Sequence, residues 1–370
     1  MKEIHSILSF YDQNQHPDLK AAMALVVRVE ESSYRREGAR MLVFQSGIFE
    51  GGISGGCLEG DALKRSQIAI LKDKPSVITY DTSTDDENQI GVGLGCNGVI
   101  DVLISPISEE DANLDLLKRV AGSRQSHILV TVTEVSGQSS VNLGQTWYFD
   151  IANKLVENCS DTILADTITQ EAQNIIKKQK SRTVEITHEG ADLAIFFEYI
   201  PAQIHLAVFG DNYDVYPMLH QARLLGWESS LVGKIQKLQR QKLGKGTDLY
   251  LKTQPARPTI DDRTAVILMA HDYKTDMANL QMAIASEAPY IGSLGPRKRF
   301  QKMLDELADR GITFTKEQME RVYAPCGLEI GANSPEEIAT SIVAEILGVM
   351  AGKPGGFLRE KEGPIHERMY

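Results

Sequence analysis

The spacing of hydrophobic and polar positions changes near residue 200. Before that point, short apolar runs are separated by polar or glycine-rich turns; Gln45-Ser46-Gly47, between two such runs, is a hairpin signal. After it, the apolar runs alternate with helix-like patterns, as expected for a parallel, doubly wound sheet. The pattern therefore predicts an α/β protein whose N-terminal part is mixed α+β. In that part, one predicted helix ends at about Gln15 and another covers residues 61–71. The predicted strands there include residues 127–135, 141–143 and 146–149.

Two features of the chain divide it into expected domains. Pro201-Ala202-Gln203 follows a strong strand pattern and is typical of a short hinge. We therefore expect one domain over residues 1–200 and a second over residues 201–351. Residues 352–370 are charged and marked by glycines, which predicts a mobile tail.

Composition limits the classes of function. The 370 residues are 42% hydrophobic and 24% charged, with a net charge of −11, which argues against binding to nucleic acid phosphates. No secretory leader or membrane-spanning run is visible in the sequence. The four cysteines lie far apart without a CxxC pair, which disfavours a structural zinc site and a disulfide scaffold. These features predict a cytoplasmic protein with reduced thiols.

The first glycine-rich segment, residues 51–61, reads GGISGGCLEGD and lies between a predicted strand and a predicted helix. Glycines there let backbone N–H groups approach a ligand, and the start of a helix favours anions. The same field would favour the thiolate of Cys57. The alternative is a simple turn in which Cys57 is a small buried hydrophobic residue.

The second glycine-rich segment, residues 91–98, reads GVGLGCNG and carries Cys96. If both segments lie at one edge of a sheet, Cys57 and Cys96 face a common pocket. The alternative is two unrelated turns with buried sulfur atoms, and the spacing does not decide between them.

The second half of the chain carries a weak dinucleotide signature. Gly210 follows the first strand, but Asn212 and Val215 replace the other two glycines of GxGxxG. A side chain at position 212 occupies space that a pyrophosphate needs, and Lys234 stands where an acidic residue would bind ribose. Tight nicotinamide binding is therefore doubtful.

Polar residues follow two further strands of that half. His271-Asp272 would supply a proton donor or an oxygen ligand at the sheet edge, or else form a capping pair that closes the strand. Residues 292–299 (GSLGPRKR) place cations at a helix start, with Pro296 in the first turn, as an anion site or as a solvated face. In residues 324–339, Ser334 and Glu337 predict a capping box, and Cys326 is interpreted as core packing.

Several of these motifs resemble the XdhC/CoxI family. Arg40-Met41 and GGxxGGCxEGD match its N-terminal signature, and the pair His271-Asp272 matches a later one. YIGxLGxRxR at residues 290–299 and PxGLxIGAxxPEEIA at residues 325–339 match its C-terminal part. The resemblance implies a Rossmann-like C-terminal domain and an accessory protein, rather than an enzyme, that binds the molybdenum cofactor transiently. It also implies help with sulfuration and insertion of the cofactor into xanthine dehydrogenase-type molybdenum hydroxylases.

The resemblance also implies partners and site residues. The partners would be the molybdoenzyme and a cysteine desulfurase; a homodimer is compatible with it. Cys57 would lie near the molybdenum, while Glu59 and Asp61 would orient the loop. The candidate cofactor-binding residues are Arg40, Gly52, Ser54, Gly55, Gly56, Cys57, Glu59, Asp61, Gly95, Cys96, Gly210, His271, Asp272, Gly292, Gly295 and Arg297.

Two other functions are compatible with the sequence. One is an oxidoreductase that uses NAD(P) or FAD in the second domain, against which the damaged glycine fingerprint argues. The other is a scaffold that docks proteins through its acidic surface without binding a cofactor.

Overall fold

The computed structural model describes residues 1–16, 19–31, 33–81, 98–108, 112–244 and 246–362. The chain forms two compact units, Met1–Ala202 (unit 1) and Gln203–Tyr370 (unit 2). That these units are independent domains, and that the tail is mobile, stay predictions. In the described part of the chain, no helix has both the length and the apolar character needed to cross a membrane.

Within its described residues, unit 1 has two five-stranded antiparallel sheets and four helices. The strand orders are β3-β2-β1-β5-β4 and β8-β7-β6-β10-β9. The elements are α1 (Lys2–Asn14), β1 (Ala21–Glu31), β2 (Arg40–Phe44), β3 (Phe49–Gly51), α2 (Glu59–Lys72), β4 (Ser76–Asp81), β5 (Gly98–Ile107), α3 (Ala112–Ala121), β6 (His127–Ser136), β7 (Thr146–Asp150), β8 (Leu155–Val156), α4 (Thr162–Lys178), β9 (Arg182–His188) and β10 (Ala191–Ile200).

Helices pack on both faces of the sheets of unit 1: α2 and α4 lie on one face, and α1 and α3 lie on the opposite faces. The apolar face of α2, with Ala62, Ala69 and Ile70, packs on the first sheet, and α4 packs on the second. β1 is buried along residues 21–27 except for half-buried Met23, because both of its faces are covered: Ala22, Ala24 and Val26 pack with α2, and Leu25 and Val27 pack with Phe196 of β10. Its continuous apolar run is the pattern that such a position requires.

The predicted strand at residues 141–143 is wrong. These residues lie in a turn between β6 and β7, where Gly137 and Gly144 have φ of +108° and +81°. Val141 is nevertheless buried in the core of the second sheet. Its apolar side chain therefore packs in the core although the residue lies in a turn. Hydrophobicity alone does not distinguish such a residue from one in a strand.

The described residues of unit 2 form one six-stranded sheet in which neighbouring strands run parallel. The strand order is β13-β12-β11-β14-β15-β16, as in dinucleotide-binding doubly wound folds. The elements are β11 (His205–Phe209), α5 (Val215–Leu224), β12 (Glu228–Gly233), α6 (Arg240–Leu243), β13 (Thr247–Leu251), β14 (Thr264–Leu268), α7 (Tyr273–Ile284), β15 (Tyr290–Ser293), α8 (Arg297–Asp309), α9 (Lys316–Glu320), β16 (Val322–Tyr323) and α10 (Pro335–Met350).

The central strands of unit 2 explain its fold class. Every residue of β11 and β14 is buried, since helices cover both faces of the sheet. The chain leaves β11 toward β12 and β13 and then crosses back to β14, so a topological switch point lies between β11 and β14. The predicted α/β class with a Rossmann-like second half is confirmed.

Candidate functional site

The first glycine-rich segment connects β3 to α2. Gly51 ends β3 with φ of +86°, and a Cβ atom there would lie 2.3 Å from the carbonyl oxygen of Arg40. The N–H of Gly52 donates to the same oxygen at 2.8 Å. Gly56 has φ of +114° with open space around it. Glycine is therefore required sterically at position 51 and conformationally at both positions.

Ser54 and Glu59 brace the segment from within. Glu59 accepts hydrogen bonds from the N–H and the hydroxyl of Ser54, at 2.8 and 2.6 Å. Ser54 Oγ in turn accepts from the N–H groups of Gly56, Cys57 and Leu58, at 3.1–3.2 Å. Burial acts to raise the pKa of Glu59, but the hydrogen bonds from Ser54 and Leu58 outweigh it, so the pKa is lowered. The predicted role of Glu59 in orienting the loop agrees with these contacts.

One expectation for this segment is wrong. In the predicted anion site the N–H groups of Gly56, Cys57 and Leu58 would face a ligand, but they converge on the Ser54 hydroxyl. The segment therefore satisfies its own donors and fixes its shape. What it leaves available is the side chain of Cys57.

Cys57 is a free, exposed thiol. Its interpretation as a small buried hydrophobic residue is therefore wrong. The ring of Tyr34, which is 76% exposed, lies against Gly55, because a Cβ atom on Gly55 would be 3.2 Å from it. The segment thus combines an accessible thiol with a neighbouring exposed aromatic ring. No motif in the chain pointed to Tyr34.

Asp61 has a role different from the expected one. Its carboxylate accepts from the Tyr80 hydroxyl at 3.0 Å and from Arg65 Nε at 3.3 Å. Burial, followed by the hydrogen bond to Asp61, raises the pKa of Tyr80. Asp61 therefore connects α2 to β4 and does not orient the glycine-rich segment.

Arg40 likewise differs from its predicted role. It is 4% exposed and makes two hydrogen bonds to the Glu198 carboxylate, of which Nη1 to Oε1 is 2.7 Å long. Nη1 also donates to the carbonyl oxygen of Gly38 at 2.8 Å. The guanidinium group is engaged in this buried ion pair. The presence of arginine at this position of the motif is therefore explained by its contribution to the fold.

Gly95 and Cys96 lie outside the described residues. The hypothesis that Cys57 and Cys96 share a pocket therefore stays a prediction.

In unit 2, side chains occupy the turn after β11. A Cβ atom on Gly210 would lie 2.6 Å from the Met269 carbonyl oxygen, so this glycine allows two strand ends to approach. The Asp211 carboxylate accepts from the Lys234 N–H at 3.0 Å and pairs with Lys237 at 3.2 Å. Asn212 Nδ2 donates to the Ala270 carbonyl oxygen at 3.4 Å. Local contacts thus explain the residues that replace the dinucleotide fingerprint.

His271 and Asp272, adjacent in sequence, have different roles. Asp272 is the N-cap of α7 and accepts from the Thr275 N–H at 2.9 Å, so it caps the helix that follows the strand. The hydroxyl and N–H of Thr275 lower the pKa of Asp272, with smaller effects from Lys252 and Lys234. His271 instead points its Nε2 to Asp214 Oδ2, at 2.5 Å. No sequence motif singled out Asp214.

The remaining predicted site residues lie around β15 and α8. Gly292 is packed, since a Cβ atom there would lie 2.9 Å from Ile267 and 3.1 Å from Cys326. Gly295 has φ of +121°, and Arg297 begins α8 as an exposed residue. Pro296 is the N-cap and not a residue of the first turn. The contacts make Gly292 a packing residue and leave Arg297 without an assigned role.

The C-terminal motif serves folding. Ser334 and Glu337 form the predicted capping box of α10, which is confirmed. Glu345 accepts from the Tyr290 hydroxyl at 2.5 Å and from the Gly327 N–H at 2.9 Å. Burial, followed by Glu345, raises the pKa of Cys326 to about 12. Cys326 packs against the core, as predicted.

Asp161, His188 and Glu189 form a side-chain group that the sequence did not suggest. Their ligand atoms lie within 4.8 Å of one another, close enough to hold a metal ion. Asp161 caps α4 through the Leu164 N–H at 2.9 Å and binds His188 Nε2 at 2.7 Å. These two contacts explain the Asp161–His188 pair without a metal.

Two family models match the chain. One, described as the XdhC and CoxI family, matches residues 15–81, and one, described as the XdhC Rossmann domain, matches residues 206–346. Together they cover more than half of the chain. They include the first glycine-rich segment and the polar edge of the parallel sheet.

Similar proteins carry related names. A Bacillus subtilis (strain 168) protein, named as a probable xanthine dehydrogenase subunit, is 28% identical over 94% of this chain and 97% of its own length. The Escherichia coli (strain K12) molybdenum cofactor insertion chaperone PaoD is 22% identical over 89% of this chain and 83% of its own length. A crystal structure described as a xanthine dehydrogenase from Bacillus halodurans matches with a TM-score of 0.71 and 26% identity, covering 96% of this chain and 98% of that chain.

Proposed function

The chain belongs to the XdhC and CoxI family, and we propose that it is an accessory protein that binds the molybdenum cofactor. It would deliver the cofactor to a molybdenum hydroxylase of the xanthine dehydrogenase type. The names of the two similar proteins, one a molybdenum cofactor insertion chaperone and the other a xanthine dehydrogenase subunit, support this role.

The observation that carries the proposal is the exposed thiol of Cys57 on an internally braced segment. Chain segments that satisfy their own N–H groups hold their shape without a ligand, so the thiol is positioned in advance. Thiolates are soft ligands that suit transition metals. A fixed, accessible thiol is therefore what temporary retention of a metal cofactor requires.

The residues around Cys57 fit such a group. Open space around Gly56 leaves one side of the segment unobstructed, and the exposed ring of Tyr34 offers a flat surface for a heterocycle. Cys57 would hold the metal side of the cofactor, and Tyr34 would stack on its ring system. The bound cofactor supplies the molybdenum centre that the partner enzyme uses. Glu59 and Ser54 keep the thiol in place.

The same proposal includes finer roles. Sulfuration of the cofactor would take place while this chain holds it, with a cysteine desulfurase as the sulfur donor. Release to the partner enzyme makes the binding transient, and a homodimer is compatible with this cycle. These roles rest on the family and on the accessibility of Cys57.

The experiment compares cofactor retention and delivery by three proteins. Wild-type protein, Cys57→Ser and Cys159→Ser are purified after co-expression with a candidate molybdenum hydroxylase, and bound molybdenum, bound pterin and enzyme activation are measured. Cys159 is a suitable control because it is a partly buried thiol of the same unit whose Sγ donates to the Asp161 carbonyl oxygen at 3.4 Å. We expect Cys57→Ser alone to lose retention and activation. Equal values for all three proteins would remove Cys57 from the mechanism.

A second candidate is a nucleotide-dependent oxidoreductase, favoured only by the strand order of unit 2. Asn212 argues against it, because its side chain stands at the second glycine position, where a pyrophosphate approaches the main chain. Titration of NAD, NADP and FAD against the fluorescence of Trp147 and Trp227 tests it. Micromolar affinity for any of the three would favour the oxidoreductase.

A further inference from the structure

An Asp–His pair lies at the switch point of the sheet in unit 2. Asp214 follows β11 and His271 follows β14, the two adjacent strands at which the strand order reverses. In open α/β sheets, ligands bind at this edge. His271 Nε2 lies 2.5 Å from Asp214 Oδ2. The pair therefore lies where a ligand of this fold would be seated.

Each member of the pair departs from its usual local role. Asp214 is at the N-cap of α5, yet its carboxylate makes no capping hydrogen bond. Its side chain is 13% exposed, and Oδ1 is buried without a hydrogen-bond partner in the described structure. His271 has φ of +55°, a conformation that is uncommon for residues other than glycine. Such departures persist where surrounding contacts enforce them, and they are common at functional sites.

Hydrogen bonds of Asp276 hold the turn that carries His271. Asp276 is 1% exposed; it accepts from the Ala270 N–H at 3.0 Å and from Arg299 at 2.7 Å. These bonds fix the turn that carries His271. The imidazole is half-exposed, whereas its carboxylate partner is mostly buried. A buried carboxylate that orients a partly exposed imidazole is the arrangement by which proton-transferring histidines are held.

The surrounding charges indicate the class of ligand. The ammonium groups of Lys252 and Lys234 act on Asp272, the residue next to His271, and Lys252 Nζ lies 2.6 Å from Thr275 Oγ1. The carboxylates at this edge have local partners, since Asp211 pairs with Lys237, Asp214 with His271 and Asp276 with Arg299, while Asp272 caps α7. The two ammonium groups are therefore left to attract an anion, and a proton-exchanging imidazole requires a ligand with an exchangeable proton. A small oxyanion that carries a hydroxyl group meets both requirements.

We propose that His271 is a general acid–base group for a small, hydroxyl-bearing oxyanion bound at this edge of unit 2, and that Asp214 is its positioning residue. In the forward step, the ligand O–H bond breaks and its proton passes to Nδ1 of the neutral imidazole. The electron pair remains on the ligand oxygen, and the Asp214 carboxylate stabilises the resulting imidazolium. This step involves neither Cys57 nor cofactor delivery.

The first test determines the state of the ring. Histidine-labelled full-length protein is examined by ¹H–¹⁵N NMR as wild type, Asp214→Asn and Asp211→Asn; Asp211 is the control because it lies in the same loop and pairs with Lys237. We expect the neutral His271 ring of the wild type and of the control to carry its proton on Nε2. Loss of that preference is expected only in Asp214→Asn. A proton on Nδ1 in the wild type would overturn the proposal.

The second test measures reactivity at about pH 8, where unpaired imidazoles are neutral. Acylation of His271 by diethyl pyrocarbonate is followed by peptide mass spectrometry, with exposed His220 on α5 as the internal reference. We expect Asp214→Asn to lower the rate of His271 severalfold relative to His220, because the ring loses the carboxylate that orients it, and Asp211→Asn to leave this ratio unchanged. An unchanged ratio in Asp214→Asn would overturn the positioning role.

The ligand class is tested by protection of His271 from the same reagent. Inorganic phosphate is the probe, and sulfate is the control because it has similar size and charge but carries no proton near neutral pH. We expect phosphate to slow the acylation of His271 more than sulfate does, with no effect on His220. Equal protection by the two anions, or none, would overturn the assigned ligand class.

Discussion

The first glycine-rich segment of unit 1 and the polar edge of unit 2 use opposite means to present a reactive group. In unit 1, Ser54 and Glu59 satisfy the N–H groups of the loop and leave one side chain, Cys57, unpaired and exposed. In unit 2, the mostly buried carboxylate of Asp214 makes no capping hydrogen bond and instead binds His271, which follows the adjacent strand.

Because of this difference, the residues expected to carry function are of a different kind in each unit. In the glycine-rich segment the N–H groups of Ser54, Gly56, Cys57 and Leu58 are engaged by the side chains of Ser54 and Glu59, so an altered function is expected from a change of the thiol or of these two side chains. At the sheet edge, side chains depart from local preferences, and such departures are informative because they cost free energy. Substitutions in the two regions separate structural from functional roles, and their expected effects decrease from Arg40 to Asp272.

The largest effect is expected from Arg40→Ala. Removal of one partner leaves Glu198 as a buried, unpaired carboxylate, so the free energy of unfolding should fall by about 3–5 kcal/mol. Arg65→Ala is the control, because Arg65 is half-exposed and pairs with Asp61 on the helix surface; a change of less than about 0.5 kcal/mol is expected. Urea unfolding measures both. If the Arg40→Ala protein were as stable as the wild type and failed only in cofactor retention, Arg40 would be a cofactor-binding residue after all.

A smaller loss is expected from Gly292→Ala. The added methyl group would lie 2.9 Å from Ile267 and from Tyr290, so the variant should lose about 1–3 kcal/mol of stability through overpacking. Gly60→Ala is the control: Gly60 is in α2 with open space around its Cβ position, and alanine favours helices. Thermal unfolding of both variants measures the difference. No loss of stability in Gly292→Ala would show that packing does not explain this glycine.

Glu59→Gln should cost about 1 kcal/mol at neutral pH, since a partly exposed carboxylate loses its charge-assisted hydrogen bonds. Its folded-state pKa is lowered, so its contribution to stability is present above the unfolded pKa of about 4.3 and is lost as pH falls through the folded-state value. The difference between wild type and variant should therefore shrink in acid. Unfolding at a series of pH values measures it, and a difference that is constant down to the acid limit would contradict the brace.

Much of the fold could be predicted from the sequence because its signals are local. Continuous Val/Ile/Leu runs specified the buried parallel strands, and Ser334, Pro335 and Glu337 specified the start of α10. Val141 shows the limit of this reasoning, since an apolar residue can reach the core from a turn.

The candidate site was predicted less completely because side-chain pairing depends on distant residues. Arg40 and Glu198 are 158 positions apart, and Asp214 and His271 are 57 apart, so no spacing rule relates them. The glycine pattern indicated the loop that carries Cys57. It did not show that the Ser54 hydroxyl accepts hydrogen bonds from the N–H groups of the loop, because that contact depends on the folded shape of the loop.

The smallest effect is expected at Asp272, and it tests whether neighbouring residues have separate roles. Asp272→Asn should leave Tm unchanged, because Asn caps helices as well as Asp does, whereas Asp272→Ala should lower Tm by removing the acceptor for the Thr275 N–H. Differential scanning calorimetry measures both. If Asp272 only caps α7, the ring tautomer of His271 and its acylation rate relative to His220 should be the same in both variants as in the wild type. A changed tautomer in Asp272→Asn at unchanged Tm would instead place Asp272 beside Asp214 as a second group that positions the imidazole.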